Sequence, residues 1–283
     1  MADASDARAG GAGDDACGPT LEDVTQALAT QSRVIMALVL RETLSRYGQQ
    51  KMGFLWALLE PVVVVTAFVT IMSVIRGGDS DEIPLVLFMI TGFVPFMMFR
   101  DPMNQMQGAI VGNRSLMGFP QVTTFDVILA RSVLECSVLL VVFPTILALA
   151  HVLLGHTVQV EDPLGVLAAC LLLMMIGTGM GFLFASLTPI IPSTRQITMV
   201  LLGRPLFFSS GLFFTAESVP APVREWLLWN PILHLLELLR SAFFFEFESP
   251  YGDWKYAGFW AIGTFAFGLL AHQALRRRAI VGL

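Results

Sequence analysis

The sequence predicts an all-α, polytopic membrane protein, and three observations carry that prediction. The 283 residues are 55% hydrophobic and only 14% charged, with a mean hydropathy of +0.71, whereas a soluble domain carries roughly 25% charge. Several apolar runs approach the ~20 residues that cross ~30 Å of hydrocarbon as a helix. These runs are continuously apolar, without in-out alternation, which favours helices over a barrel. The net charge of −5 is spread unevenly along the chain, and no nucleic-acid partner is expected.

Residues 1–19 (MADASDARAGGAGDDACGP) are acidic, rich in Gly and Ala, and read as a disordered cytoplasmic tail. They contain no apolar h-region, so the first membrane helix is expected to act as the targeting signal. Residues 20–50 read as an amphipathic interface helix. Thr20 and Asp23 give a T-x-x-D start, and Leu21, Val24, Leu28, Ile35 and Val39 follow at helical spacing.

Residues 51–283 read as the transmembrane domain. Six spans are expected, at about 54–75, 83–99, 127–154, 164–187, 197–215 and 256–275. The second is short and looks broken by Pro84 and Pro95. Between the fifth and sixth spans, residues 216–250 contain "EWLLWNPILHLLELLRSAFFFEF", too apolar for a solvated loop. Pro231 splits this stretch into pieces shorter than a span, which predicts a re-entrant pair around Trp229, Asn230, Pro231, Glu237 and Arg240. A surface-lying aromatic hairpin is the alternative.

Orientation follows from Lys and Arg in the connections. One side holds ten: Arg33, Arg41, Arg46, Lys51, Arg100, Arg114, Arg195 and Arg276 to Arg278. The other holds four: Arg76, Arg224, Arg240 and Lys255. Both termini are therefore expected in the cytoplasm.

Enzyme chemistry has little support. A Walker A loop needs a Gly–Lys pair, but the two lysines, Lys51 and Lys255, follow Gln50 and Trp254. There is no H-E-x-x-H, C-x-x-C or G-x-S-x-G, and the histidines are scattered. Cys17, Cys136 and Cys170 are expected to be free thiols, and no metal site is expected.

Polar residues within the spans are the sharper signal, because a charge at mid-bilayer costs ~2.5–3.5 kcal/mol on insertion scales. Arg131 and Glu135 lie one turn apart and can pair, either to hold helices together or to line a path. Arg204 stands alone in the fifth span, followed by Pro205, Phe207 and Phe208. Glu60 and Pro61 fall near the cytoplasmic mouth of the first span, close to Trp56, where Lys51 or Arg46 can snorkel toward the acid. Pro61 is expected in the first embedded turn, where no donor is needed. Gly177 and Gly181 form a G-x-x-x-G close-packing face. The loop "NRSLMGFPQVTTFD" from Asn113 faces the cytoplasm, and a short surface helix over Arg114–Phe119 suggests a docking site for an ATPase subunit.

Four stretches, "RETLSRYGQQKMGFLWALLEP", "NRSLMGFPQVTTFDVILARSVLE", "RPLFFSSGLFF" and "LLWNPILHLLELLRSAFF", occur in this order. Together, from about Arg41 to Arg278, they resemble the membrane subunit of type-2 ABC exporters of capsular polysaccharide and O-antigen glycans. "WALLEP" and "HLLELLRSAFF" resemble the capsule branch more. The family often places a proline before the acid at 126, where this chain has Thr124 and Phe125.

The resemblance implies a homodimer of six-helix subunits in the bacterial inner membrane, with two nucleotide-binding subunits supplying ATP and Mg chemistry. This chain itself is then expected to bind no cofactor. It also implies a lipid-linked polysaccharide substrate, periplasmic and outer-membrane export partners, and a coupling helix around Asn113, Arg114, Leu116, Met117, Phe119 and Pro120. An exporter of teichoic-acid-like glycans, small molecules or lipids stays open, as does an ion-driven carrier. The carrier would carry inverted repeats, and none is evident.

Overall fold

The computed structural model describes residues 21–47, 53–76, 84–119, 121–155, 158–245 and 247–281. Among them every regular element is helical. α1 (Leu21–Tyr47) precedes α2 (Gly53–Arg76) and α3 (Leu85–Met106), and a single turn, α4 (Ala109–Gly112), leads into a 3-10 turn over Arg114–Gly118. α5 (Thr124–Leu154) and α6 (Pro163–Leu187) are long. α7 (Thr194–Thr198), a π-helical turn (Met199–Gly203) and α8 (Arg204–Ser209) form one short helical run. α9 (Ala221–Leu227), α10 (Pro231–Phe243) and α11 (Trp254–Val281) complete the chain.

Four of these helices, α3, α5, α6 and α11, are long and apolar enough to cross a membrane, and α2 contributes the shorter apolar stretch Leu58–Val74. The protein is thus a helical polytopic membrane protein. α3 is the central element: every residue from Leu87 to Phe99 is buried, against α5, α6, α2 and α10. It is also longer than the sequence suggests. Pro84 is its N-cap, and the helix runs on through Pro95 and Pro102 to Met106. Inside a bundle, neighbouring helices and local adjustments re-satisfy the backbone groups that a proline frees. Pro61 likewise lies well inside α2, which starts at Gly53, and not in its first turn.

The fifth predicted span departs further from expectation. Its helix does not run from 197 to 215; it ends at Ser209, and Gly211 adopts φ +74°. A non-glycine residue at that φ is disfavoured, so the chain turns here and Leu212–Phe214 pack back against α3 and α10.

Glycine sets the helix spacing. A Cβ on Gly177 would collide with the Phe99 carbonyl, and one on Gly181 would come within 2.5 Å of Met106 Sδ. This bears out the close-packing face, which meets α3. A second contact was not foreseen: Gly179 and Gly268 lie against each other's helix, so α6 and α11 touch backbone to backbone. Where lipid replaces water, such van der Waals approach drives helix association.

α1 rides on the N-terminal half of α5 and on the loop before it through polar contacts. Gln31 Nε2 donates to Asp126 Oδ1 (3.0 Å), Arg41 Nη1 to Asn113 Oδ1 (2.8 Å), and Arg131 pairs with Glu42 at 3.1 Å. Its outward stripe, Met36, Leu40 and Leu44, is apolar and exposed.

Candidate functional site

α2, the end of α3 and the α7–α8 run enclose a cavity of about 430 Å³ lined by Glu60, Arg100, Asp101, Asn104, Gln105, Arg195, Met199, Gly203, Arg204, Phe207 and Phe208. Four residues singled out by sequence, Glu60, Arg204, Phe207 and Phe208, therefore meet in one place. The π-helical turn matters for this. Nine residues separate Arg195 from Arg204, about half a turn out of phase in a regular α-helix at 3.6 residues per turn. The wider π turn over Met199–Gly203 changes that phase, and both arginines line the cavity. Such single π turns occur often at functional sites.

The cavity's charges divide into two groups. Arg100 is compensated: its Nε donates to Asp101 Oδ1 at 2.7 Å, and Nη2 lies 3.5 Å from Glu60 Oε1. The cation beside Glu60 is thus Arg100 from α3. Lys51 lies outside the described residues, as does the side chain of Arg46. Arg195 and Arg204 are exposed to the cavity, and among the described residues neither has an acid within ion-pair distance. At its inner end the cavity closes on phenylalanines. Phe207 meets Phe96 edge-on at 5.6 Å and Phe213 at 5.4 Å, and Phe68 packs on Phe213 at 4.7 Å. The arrangement offers two free guanidinium groups for an anion and aromatic faces for apolar C–H surfaces.

The other predicted residues fall elsewhere. The Trp56 side chain lies outside the described residues. Arg131 and Glu135 do not line this cavity; Arg131 ties α5 to Glu42 of α1, and Glu135 is buried within the bundle. In the predicted docking loop the expected short helix is present as the 3-10 turn. Arg114, Ser115 and Phe119 are exposed, while Leu116 and Met117 are half-buried. Asn113 is buried: it anchors the loop to Arg41 and, through Nδ2, to the Ala109 carbonyl. Pro120 lies outside the described residues.

The stretch around Pro231 is two short helices, as the break predicted, and its polar residues are structural. Asn230 caps α10 through Ile232 N–H and donates to the Ser209 and Ser210 hydroxyls. The Trp229 carbonyl accepts from Tyr256, and Glu237 accepts the Ala216 N–H at 3.0 Å. Arg240, wholly buried, donates to the carbonyls of Gly211 (2.7 Å), Leu212 (3.2 Å) and Phe214 (3.4 Å), and its guanidinium stacks 3.8 Å over the Phe88 ring. Its place is left open by Gly92, whose Cβ would stand 2.6 Å from Nη2.

Sequence reasoning missed Arg100, Asp101, Asn104 and Arg195 as cavity residues, because it ended α3 at Phe99. Met103, Met106 and Ile110 continue the apolar helical spacing past Arg100 and carry the signal for the longer helix. Among the described residues no cluster of His, Cys, Asp or Glu is placed to hold a metal ion.

A many-helix membrane body with a charged cavity opening among its helices defines a membrane-transport class of protein. Over residues 33–244 the chain matches the ABC-2 type transporter family, and it belongs to that family. It is 29% identical over 243 residues to the polysialic acid transport protein KpsM of Escherichia coli, covering 86% of this chain and 93% of that protein. To the capsule polysaccharide export inner-membrane protein CtrC of Neisseria meningitidis it is 31% identical, over 80% of this chain and 86% of the relative. To BexB of Haemophilus influenzae, which bears the same description, the identity is 30% over 87% and 91%.

Proposed function

We propose that this chain is the transmembrane subunit of an ATP-driven exporter that moves a lipid-linked, acidic capsular polysaccharide across the bacterial inner membrane. The relatives' names, capsule polysaccharide export for CtrC and BexB and polysialic acid transport for KpsM, support the substrate class. The observation that carries the residue-level reading is the cavity where Arg195 and Arg204, with no acid within ion-pair distance among the described residues, stand beside a phenylalanine cluster. Six passages per subunit, with α7–α8 as the fifth and α9–α10 re-entrant, complete the proposed topology, both termini in the cytoplasm. Two copies pair, and two separate nucleotide-binding subunits bind ATP and Mg. They dock at the Arg114–Phe119 turn, where exposed Arg114 meets acidic groups. Periplasmic and outer-membrane partners carry the polymer onward.

In this scheme the anionic part of the glycolipid enters at the cytoplasmic end of α3 and is held by Arg204, whose planar guanidinium binds phosphate or carboxylate in a bidentate fork. The Glu60–Arg100–Asp101 cluster shapes the mouth, and the aromatic rings beyond it accept sugar faces.

The test is Arg204→Leu in cells lacking their own copy. A hydrogen bond to a charged group is worth about 1.5–3 kcal/mol, so surface polysaccharide should fall at least about tenfold at unchanged membrane abundance, and Arg204→Lys should lose less. Wild-type export by a normally abundant Arg204→Leu protein would remove Arg204 from the path. Lost abundance, restored by also removing a nearby acid such as Glu60, would make it a structural ion pair.

A further inference from the structure

A second cavity, of about 540 Å³, lies on the same side of the bundle as the docking turn. It is lined by Gln31 of α1, by Met117, Val122, Thr123, Thr124 and Phe125 of the docking loop and the start of α5, and by His272, Gln273, Arg276 and Arg277 of α11. Neither the family nor the transport path accounts for it.

Its depth can be read from α11. Trp254 and Tyr256, at the start of that helix, are the aromatic residue types that mark a membrane–water interface. At 1.5 Å per residue, His272 lies about 27 Å and Arg276 about 33 Å further along. With ~30 Å of hydrocarbon, His272 falls at the opposite edge of the apolar layer and the two arginines just beyond it, among lipid headgroups. The α1 stripe of Met36, Leu40 and Leu44, exposed at 60–69%, is suited to the same level.

The cavity has a fixed floor and a free rim. His272 is held through both ring nitrogens, Nδ1 against Ser186 Oγ at 2.8 Å and Nε2 against Thr124 Oγ1 at 3.3 Å. Ser186 already donates to the Phe182 carbonyl, so its hydroxyl accepts from Nδ1–H, and Nε2 accepts from Thr124. The imidazole is thereby committed to protein partners. Phe125, stacked on Phe182 at 5.5 Å, forms an apolar wall. Asp126, the nearest acid on α5, is turned into its capping box with Thr123 and held by Gln31. Arg276 and Arg277 are exposed, and among the described residues no acid lies within ion-pair distance of either. Towards the membrane interior α11 presents Phe267 and Leu270, 61% and 67% exposed, so the rim leads onto a lipid-facing apolar surface.

We propose that this cavity binds an anionic phospholipid of the cytoplasmic leaflet, its phosphodiester between Arg276 and Arg277 and its acyl chains along Leu270 and Phe267. Basic pockets between transmembrane helices on the cytoplasmic side recognise such headgroups. The inference rests on the cytoplasmic assignment of this face, and not on the polysaccharide reading. Because the docking turn forms one wall, the lipid braces the surface offered to the ATPase.

Native mass spectrometry of the delipidated full chain, titrated with phosphatidylglycerol or phosphatidylethanolamine of matched chains, tests this. The chain should retain phosphatidylglycerol preferentially. Each basic residue near a charged lipid surface is worth about 1 kcal/mol, so an Arg276→Gln/Arg277→Gln variant should bind it about 30-fold more weakly. The double lysine variant should keep most of the affinity. Gln273→Trp, which fills the cavity and leaves both arginines, should weaken binding at least about tenfold, a loss of about 1.4 kcal/mol, and it decides the matter if the glutamine variant does not fold. Arg114→Gln, outside the cavity, should change nothing. Equal retention of the two lipids, wild-type binding by either cavity variant, an equal loss in Arg114→Gln, or displacement by inorganic phosphate alone overturns the proposal. Failed export with intact lipid selectivity would count against the transport reading and leave this site standing.

Discussion

Replacing Arg240 with methionine removes the group that holds the turn after α8. The side chain keeps much of its length but loses its charge and its donors. Left behind are the carbonyls of Gly211 and Leu212, which accept at 2.7 and 3.2 Å, and the weaker contact to Phe214. An orphaned buried acceptor costs about 1–3 kcal/mol, and the stack over Phe88 adds roughly 1–2 kcal/mol when desolvated. Glu237, whose field attracts Arg240, loses its neighbouring cation. The total, about 4–5 kcal/mol, lies at the extreme of single substitutions. At roughly 2–4 °C per kcal/mol for a chain of this size, the unfolding midpoint in detergent should fall by about 10–15 °C. Arg240→Lys should lie between. Gly92→Ala provides a check, since its Cβ would stand 2.6 Å from Arg240 Nη2. It should destabilise the wild type but be tolerated beside Arg240→Met, the non-additivity expected of residues in contact. An Arg240→Met protein melting within about 2 °C of wild type would refute this account, because orphaned carbonyls at those magnitudes cannot be silent.

Two further outcomes are expected. In intact cells a membrane-impermeant thiol reagent should label cysteines placed at Glu217 or Glu225 but reach Gln121→Cys only after lysis; the reverse pattern would invert the assigned orientation. Purified alone, the chain should hydrolyse no ATP above background and should gain activity with its nucleotide-binding partner. Arg114→Glu should weaken that association, and normal assembly with normal export in this variant would remove the Arg114–Gly118 turn from the docking role.

The sequence showed the helical membrane class and the break at Pro231 because both depend on local properties, apolar run length and proline chemistry. It also showed the Gly177–Gly181 face, since small residues four apart carry one meaning in a membrane helix. What it concealed was where charges find partners. Arg131 looked paired to Glu135 by helical spacing, yet its partner at 3.1 Å is Glu42, 89 positions earlier. Arg240 read as part of a re-entrant segment, and its acceptors are carbonyls of a turn that exists only because the fifth helix stops at Ser209. Hydropathy cannot see that stop, because Gly211–Phe214 is as apolar as a span. The cavity around Arg204 was half legible. Phe207 and Phe208 follow in sequence, whereas Arg195 is brought in by a π turn that no residue type announces.

The arginines then separate by what surrounds them. Burying a guanidinium is tolerable only when its donors are satisfied. Arg240 meets most of that condition through its Nη donors, with three carbonyls and a ring, and Arg131 pairs with Glu42, though Nε of each is left without a hydrogen-bond partner among the described residues; Arg41, more exposed, is held by Asn113. Each fixes one element against another: the post-α8 turn to α10, and α1 to α5 and to the docking loop. Substituting these residues should therefore register first as lost stability. Arg195, Arg204, Arg276 and Arg277 instead line cavities with no acid within ion-pair distance of them among the described residues, Glu60 and Asp101 of the first cavity being engaged by Arg100. Water screens a charge there, so leaving it unpaired costs little, and an arriving anion finds donors already in place. The two cavities are built by different helices, one by α2, α3 and α7–α8 and the other by α1, α5 and α11. The docking turn borders only the second. α3 joins the two regions covalently: it carries Arg100 and Asp101 at the first cavity and continues through α4 into the turn. Arg100, bridging Glu60 and Asp101, stands where a shift of α3 against α2 would open or close the mouth.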